Sequence, residues 1–143
     1  MLRSYRIKFS GGEVIVPSHN RRSATYAAYL KIGDVLGGDF GSFLRRTTVK
    51  SLGPFKPEHL NGANAKFQFL KESRQIPFAH LGQRVILHHE EHDVEGIIVG
   101  VSSGSRLEVC VGDGDGRYRV CNAHPLYHIS YLGENGEVVG EFV

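Results

Sequence analysis

Residues 83–101, QRVILHHEEHDVEGIIVGV, decide the fold of the C-terminal half. Two short apolar runs, 83–89 and 94–102, flank the polar segment EEHD at 90–93. Runs of this length on either side of a polar turn are typical of an antiparallel hairpin. The segment therefore predicts a strand, a solvated turn and a second strand that places Ile97, Val99 and Val101 on one face.

The same pattern continues to the C-terminus. RLEVCVG (106–112) and RYRVC (117–121) flank the turn DGDG, and HISYL (128–132) and EVVGEFV (137–143) follow a corner at AHPLY (123–127) that predicts a short 3₁₀ turn. Alternation along the strands predicts that Cys110 points outward. The residues predicted to point inward are Leu107, Val109, Val111, Tyr118 and Val120. Strands separated by turns every 8–12 residues or so predict a small closed β-barrel.

This order of elements resembles SH3-like barrels of the Tudor and KOW type. The matching residues are Gly82-Gln83-Arg84-Val85, the strand from Gly96 to Gly100, and the His124-Pro125 corner before Ile129-Ser130-Tyr131-Leu132. The resemblance covers residues 80–132 and implies a module that binds protein tails or nucleic acid and performs no chemistry. The chain has no Trp and lacks the acidic-aromatic first loop of peptide-binding SH3 domains, which argues against a proline-rich ligand.

The first 53 residues predict a ββααβ module. SYRIKFS and EVIVPS form a hairpin around Gly11-Gly12, and Ser18 is the candidate N-cap of a helix that Gly37-Gly38 ends. Asp39 is the candidate cap of a second helix, FGSFLRR, whose Phe40, Phe43 and Leu44 are predicted to point inward. TTVKSL then returns as a third strand. The pattern ATYAAYL (24–30), then DFGSFLRR (39–46), then a β-branched strand also loosely resembles accessory proteins of bacterial phages and mobile elements, a resemblance that assigns no residues.

A connector that contains prolines separates the two halves, with a helical turn predicted in AKFQFLKES (65–73). We therefore predict an α+β protein with a basic ββααβ module at 1–53, a connector at 54–79 and an SH3-like antiparallel β-barrel at 80–143. The charged residues are also distributed unequally between the two halves. Residues 1–56 contain ten Lys or Arg and three acids, whereas residues 76–143 contain four Arg and ten acids. Such a split indicates that the halves face different partners or each other.

The basic module predicts contacts to phosphates, supported by Tyr26 and Tyr29 on its first helix. The alternative is that these charges only solubilise the module, or that they pair with the acidic half within the fold or in a dimer. The predicted nucleic-acid-binding residues are Arg6, Lys8, Arg21, Arg22, Arg45, Arg46 and Lys50.

Residues that could carry chemistry favour structural roles. In HHEEHD, His88 and His89 are neighbours on a strand and point to opposite faces, so the segment indicates a turn rather than a metal site. A hairpin centred on Gly114-Asp115 sets Cys110 opposite Arg119 and Cys121 opposite Glu108, so a disulfide is not expected. We predict no catalytic residue, metal or cofactor.

The chain has no apolar stretch typical of a membrane span or signal peptide, which predicts a cytoplasmic protein. We expect a non-enzymatic binding protein that contacts nucleic acid or a nucleoprotein complex through the basic module and a protein through the barrel. The alternative is a phage- or plasmid-encoded inhibitor of a host defence complex, of the anti-CRISPR type, with one host protein as partner. A third hypothesis is a small hydrolase that uses a metal at His88, His89 and His92, or a Cys–His pair.

Overall fold

The computed structural model describes residues 1–102 and 104–143, and within them all side chains except those of residues 34, 35 and 61–64. In these ranges the chain has three α-helices and nine strands. The strands form two antiparallel sheets. The predicted α+β class is confirmed.

The N-terminal sheet has three strands, with β1 (Arg3–Phe9) between β2 (Gly12–Ser18) and β3 (Thr48–Pro54). Helices α1 (Arg21–Leu36) and α2 (Phe40–Arg46) lie between β2 and β3 in the chain, which confirms the order ββααβ. Their caps follow from local chemistry. The Asn20 side chain accepts a hydrogen bond from the Ser23 amide at 2.8 Å, so Asn20 caps α1 and the predicted cap, Ser18, stays in β2.

Asp39 caps α2 as predicted, because its side chain accepts from the Ser42 amide at 2.8 Å. Gly37 ends α1 with φ of 73°, a value that suits glycine. The prediction for Leu44 is wrong, since it is exposed while Phe43 is fully buried. Small alanines let α1 lie close to the sheet, and the core of this module consists of Tyr5, Ile7, Val16, Ala24, Ala28 and Phe43.

The connector is a packed part of the protein. It contains a 3₁₀-helix (Pro57–Ala63) and α3 (Asn64–Ser73), which is longer than the single turn predicted. Phe67 and Leu70 of α3, together with Ile76, enter the core of the second sheet.

The second sheet contains six antiparallel strands in the order β7-β6-β5-β4-β8-β9. These strands are β4 (Arg84–His88), β5 (Asp93–Val101), β6 (Leu107–Gly112), β7 (Tyr118–Ala123), β8 (Ile129–Leu132) and β9 (Val138–Phe142). In the described pairings β7 and β9 are the end strands, and closure of the sheet into a barrel stays a prediction. The side chains at its centre include Val85, Ile98, Leu107, Val109, Ile129 and Tyr131.

The predicted facing of β5 is confirmed for Ile97 and Val99, which share one cluster, and is wrong for Val101, which packs against the main core. Ile98 is in the main core, while Ile97 and Val99 lie in a second cluster with Leu60 and Cys110. The pairing of β5 with β6 shifts between Ile98 and Gly100, and this irregularity breaks simple alternation.

The predicted register of β6 and β7 is also wrong by one residue, because Cys110 pairs with Val120 and Cys121 with Val109. The Asp113 amide donates to the Arg117 carbonyl at 3.1 Å, so three residues rather than two form the loop. The shift leaves Val120 exposed instead of inward. Cys110 lies on the face opposite the main core, as predicted, but it is buried there because Leu60 and Val99 cover it.

The corner before β8 is a turn rather than the predicted 3₁₀ segment. Tyr131 Oη donates to the Pro125 carbonyl there at 2.7 Å. Within the described ranges, no helix is long and apolar enough to cross a membrane.

Candidate functional site

The N-terminal module and the six-stranded sheet meet along a groove of about 980 Å³. One side of the groove is formed by β2, α1 and the start of α2, and the other by β5, β6 and β7, with Lys66 of α3 also at its lining. The groove is therefore built from segments that are far apart in the sequence.

Polar contacts hold its two sides together. Lys31 Nζ of α1 lies 3.0 Å from Glu108 Oε1 of β6. The Tyr118 amide of β7 donates to His19 Nδ1 at 3.0 Å, immediately before α1. These contacts link α1 and the segment before it to β6 and β7 on the far side of the groove.

An aromatic cluster lies on the α1 side of the groove. The ring centroids of Tyr26 and Phe40 are 5.1 Å apart in an edge-to-face arrangement, and those of Tyr29 and Phe40 are 5.4 Å apart. The guanidinium of Arg22 lies 6.0 Å from the centroid of the Phe40 ring. Tyr26 is 48% exposed, so one aromatic surface of the cluster is open to a ligand.

The groove is basic. Its lining contains Arg22, Lys31, Lys66 and Arg119, against Glu108 as its acidic residue. Among the described side chains, Glu108 forms its salt bridge with Lys31. Arg22, Lys66 and Arg119 are exposed and take part in none of the salt bridges of the described side chains, so their charges favour an anionic ligand.

The structure separates the seven predicted basic residues into three places. Arg6, Lys8 and Lys50 lie on the face of the N-terminal sheet opposite α1, because Tyr5 and Ile7 of the same strand pack beneath that helix. Arg6 and Lys50 are cross-strand partners. Arg6 Nε also lies 3.6 Å from Glu13 Oε2, which offsets part of the charge on this face.

Arg21 and Arg22 begin α1, as predicted, and are exposed. Arg45 and Arg46 end α2. The Arg46 guanidinium donates to the carbonyls of Leu36, at 3.1 Å, and Gly37. Arg46 thereby satisfies backbone groups at the C-terminal end of α1 rather than facing solvent alone.

Sequence reasoning missed Lys66 and Arg119. Lys66 lies in the predicted connector, and Arg119 lies in the acidic half of the chain. No local pattern marks either residue, because only the packing of the two modules brings them to one groove.

A second polar cluster lies on the outer face of the second sheet. His88 Nδ1 is 2.9 Å from Asp93 Oδ1, and His88 Nε2 is 2.7 Å from Ser130 Oγ. Ser130 Oγ also donates to Glu141 Oε1 at 3.4 Å. The order Ser–His–Asp has the connectivity of a nucleophile relay, but Ser130 is only 2% exposed and lies within β8, where its hydroxyl is poorly placed to meet a substrate. The cluster links four neighbouring strands.

The described part of the chain also gives little support for a metal site or a catalytic cysteine. No group of three or more His, Cys, Asp or Glu side chains there could hold a metal ion. Cys110 and Cys121 are free. Burial raises the pKa of Cys110 to about 12, and burial also raises the pKa of Cys121 against a smaller lowering effect of Arg119. Both thiols are therefore protonated at neutral pH, unlike a catalytic thiolate.

Comparison with protein-family models, curated proteins and solved structures finds no match to this chain.

Proposed function

We propose that this chain is a non-enzymatic, cytoplasmic binding protein that contacts nucleic acid through the arginine and aromatic residues of α1. The observation that carries the proposal is the half-exposed ring of Tyr26 on the same helix as Arg21 and Arg22, beside a Phe40 ring on which Arg22 lies.

Nucleic acid suits this surface because it presents phosphates and flat bases together. Arginine contacts phosphate oxygens through paired N–H donors, and bases stack on exposed aromatic rings. The first turn of α1 contains no acidic residue, and a helix N-terminus favours negative charge. Arg45 is exposed on α2 and adds charge to the same module. Arg6, Lys8 and Lys50 form a separate basic face that could hold a second part of a longer ligand.

The second sheet, in this proposal, is an SH3-like barrel that engages a protein. The neighbour order β7-β6-β5-β4-β8 and the turn before β8 support the assignment. No cofactor is proposed, since binding of this kind requires none.

The test is binding of the purified protein to single- and double-stranded DNA and RNA of equal length, measured by fluorescence anisotropy. We expect binding that weakens when Arg21 and Arg22 are both replaced by Ala. Lys71→Ala combined with Arg74→Ala removes two cations elsewhere and is the matched control. Absence of binding to all four ligands at low salt would overturn the proposal.

A second candidate is an inhibitor that binds one host protein, favoured by the free edge of β7. Residues 117, 119, 121 and 123 exchange hydrogen bonds with β6 or the turn, so the amides of Tyr118, Val120 and Asn122 point away from the sheet. The first of these amides, that of Tyr118, donates a hydrogen bond to His19. Within the described residues β7 ends the sheet, so the remaining edge could pair with an extended peptide. Capture of one host protein without salt-dependent binding to nucleic acid would favour this candidate.

A further inference from the structure

We infer that the groove between the two modules is the nucleic-acid site and that its ligand is a single strand, with Lys66 and Arg119 contacting phosphates and Tyr26 stacking on a base. This inference rests on the proposed function and extends it to residues outside the N-terminal module.

Charge complementarity identifies the class of ligand. The groove lining contains four cations and one carboxylate, and Lys31 already faces that carboxylate. Arg22, Lys66 and Arg119 come from α1, α3 and β7, so the positive charge borders the groove from three elements. A flexible polyanion that passes between these elements meets all three.

The position of Tyr26 favours a single-stranded ligand over a duplex. Its exposed ring lines the groove between α1 and the second sheet, together with Leu30 and Val120, which are 66% and 39% exposed. The base pairs of a duplex are stacked on each other and offer no free face to a ring on a groove wall. An unpaired base can leave its strand and stack there.

The contacts that we infer in the groove, to phosphates and to the face of a base, do not depend on base identity. The exposed apolar surface of the groove comes from side chains of α1 and β7, and stacking of this kind tolerates any base. The ligand class is therefore single-stranded nucleic acid bound with little sequence preference.

The experiment compares variants of the full chain by anisotropy with a labelled single strand of about 12 nucleotides, a length within the usual site sizes of such proteins. We expect the variant with both Lys66→Ala and Arg119→Ala to bind about tenfold more weakly and to lower the slope of log affinity against log salt by roughly 1.4, which corresponds to two lost phosphate contacts. The matched control has Lys56→Ala and Arg106→Ala, which remove equal charge from exposed positions outside the groove.

Stacking is tested separately at Tyr26. Tyr26→Ala is expected to weaken binding at least fivefold or so, whereas Tyr26→Phe keeps the ring and stays within about twofold. A duplex of the same length should bind more weakly than the single strand. Thermal unfolding of each variant is measured to check that the fold is kept.

The outcomes separate the two proposals. If the Arg21→Ala/Arg22→Ala variant loses binding but the Lys66→Ala/Arg119→Ala variant does not, the groove inference is wrong and the proposed function stands. If no variant and no ligand shows binding, both are wrong. If a labelled peptide of alternating Glu and Val binds the groove residues and the oligonucleotide does not, the groove belongs to an acidic protein segment and the inference is overturned.

Discussion

The backbone amide of Tyr118 donates a hydrogen bond to Nδ1 of His19 at 3.0 Å, across 99 residues of sequence. The other ring nitrogen of His19, Nε2, is 3.1 Å from Ser23 Oγ. Because Nδ1 accepts, the network assigns the proton of the neutral ring to Nε2. This side chain therefore ties the segment before α1 to the end strand of the second sheet, and it defines one end of the groove.

Replacing His19 by Ala removes that tie and leaves the partly buried Tyr118 amide without its partner. We expect a loss of about 1–2 kcal/mol in the free energy of unfolding, measured by urea denaturation. Hydrogen exchange at the Tyr118 amide should become faster in the variant. His89→Ala, in an exposed turn, is the control and should leave stability nearly unchanged. Unaltered stability and unaltered exchange in His19→Ala would show that the contact contributes nothing.

Arg46 and Arg45 are adjacent arginines that we expect to behave differently. Arg46 donates to the carbonyls at the end of α1, so Arg46→Ala should lower the free energy of unfolding by about 1–2 kcal/mol. Arg45→Ala removes the same charge from an exposed position and should change stability by less than about 0.5 kcal/mol. Urea denaturation of the two variants makes the comparison. Equal stabilities would contradict the capping role of Arg46.

The two thiols are expected to resist alkylation in the folded protein. Burial raises the pKa of Cys110 to about 12 and also raises that of Cys121, so almost no thiolate of Cys110 exists at pH 8. Mass spectrometry after iodoacetamide treatment should find Cys110 unmodified and Cys121 modified slowly. Both should react quickly in denaturant, which is the control. Rapid labelling of Cys110 in the native protein would contradict its buried position.

Gly96 lies where no side chain fits. A Cβ at this position would lie 2.5 Å from Val109 Cγ1 and 3.0 Å from the Cys110 carbonyl oxygen. Gly96→Ala should therefore lower the free energy of unfolding by roughly 2 kcal/mol, seen as a lower thermal midpoint. Gly104→Ala is the matched control because nothing lies within 4 Å of its added Cβ. A Gly96→Ala protein as stable as the control would show that β5 and β6 are less closely packed here.

Local signals explain which parts of the fold could be predicted from the sequence. Gly37 and Asp39 end and begin helices through interactions within a few residues, and alternating apolar residues identify most strands. The positions of most helices and strands, and the ββααβ order, could therefore be predicted from the sequence.

The register of the strands is harder to predict from the sequence because it depends on small local differences in loop length and strand pairing. The loop at 114–116 has one residue more than a two-residue turn, and that residue changes the face of Val120. The irregularity in β5 has the same effect on Val101. Neither is visible as periodicity.

The candidate site was the least accessible part. The sequence predicts that Tyr26 and Arg22 belong to a binding surface because they share a helix in a basic segment. Lys66 and Arg119 lie 53 residues apart in sequence, in segments whose own composition indicates a connector and an acidic half. Their meeting depends on how α3 and β7 pack beside α1, which no local pattern encodes.

The most direct test of the central claim is the salt dependence of single-strand binding by the unmodified protein and by the Arg21→Ala/Arg22→Ala variant, from about 50 to 500 mM salt. The account predicts steep weakening with salt for the unmodified protein and both lower affinity and a shallower slope for the variant. Binding with no salt dependence, or an unchanged slope in the variant, would contradict nucleic-acid contact through α1.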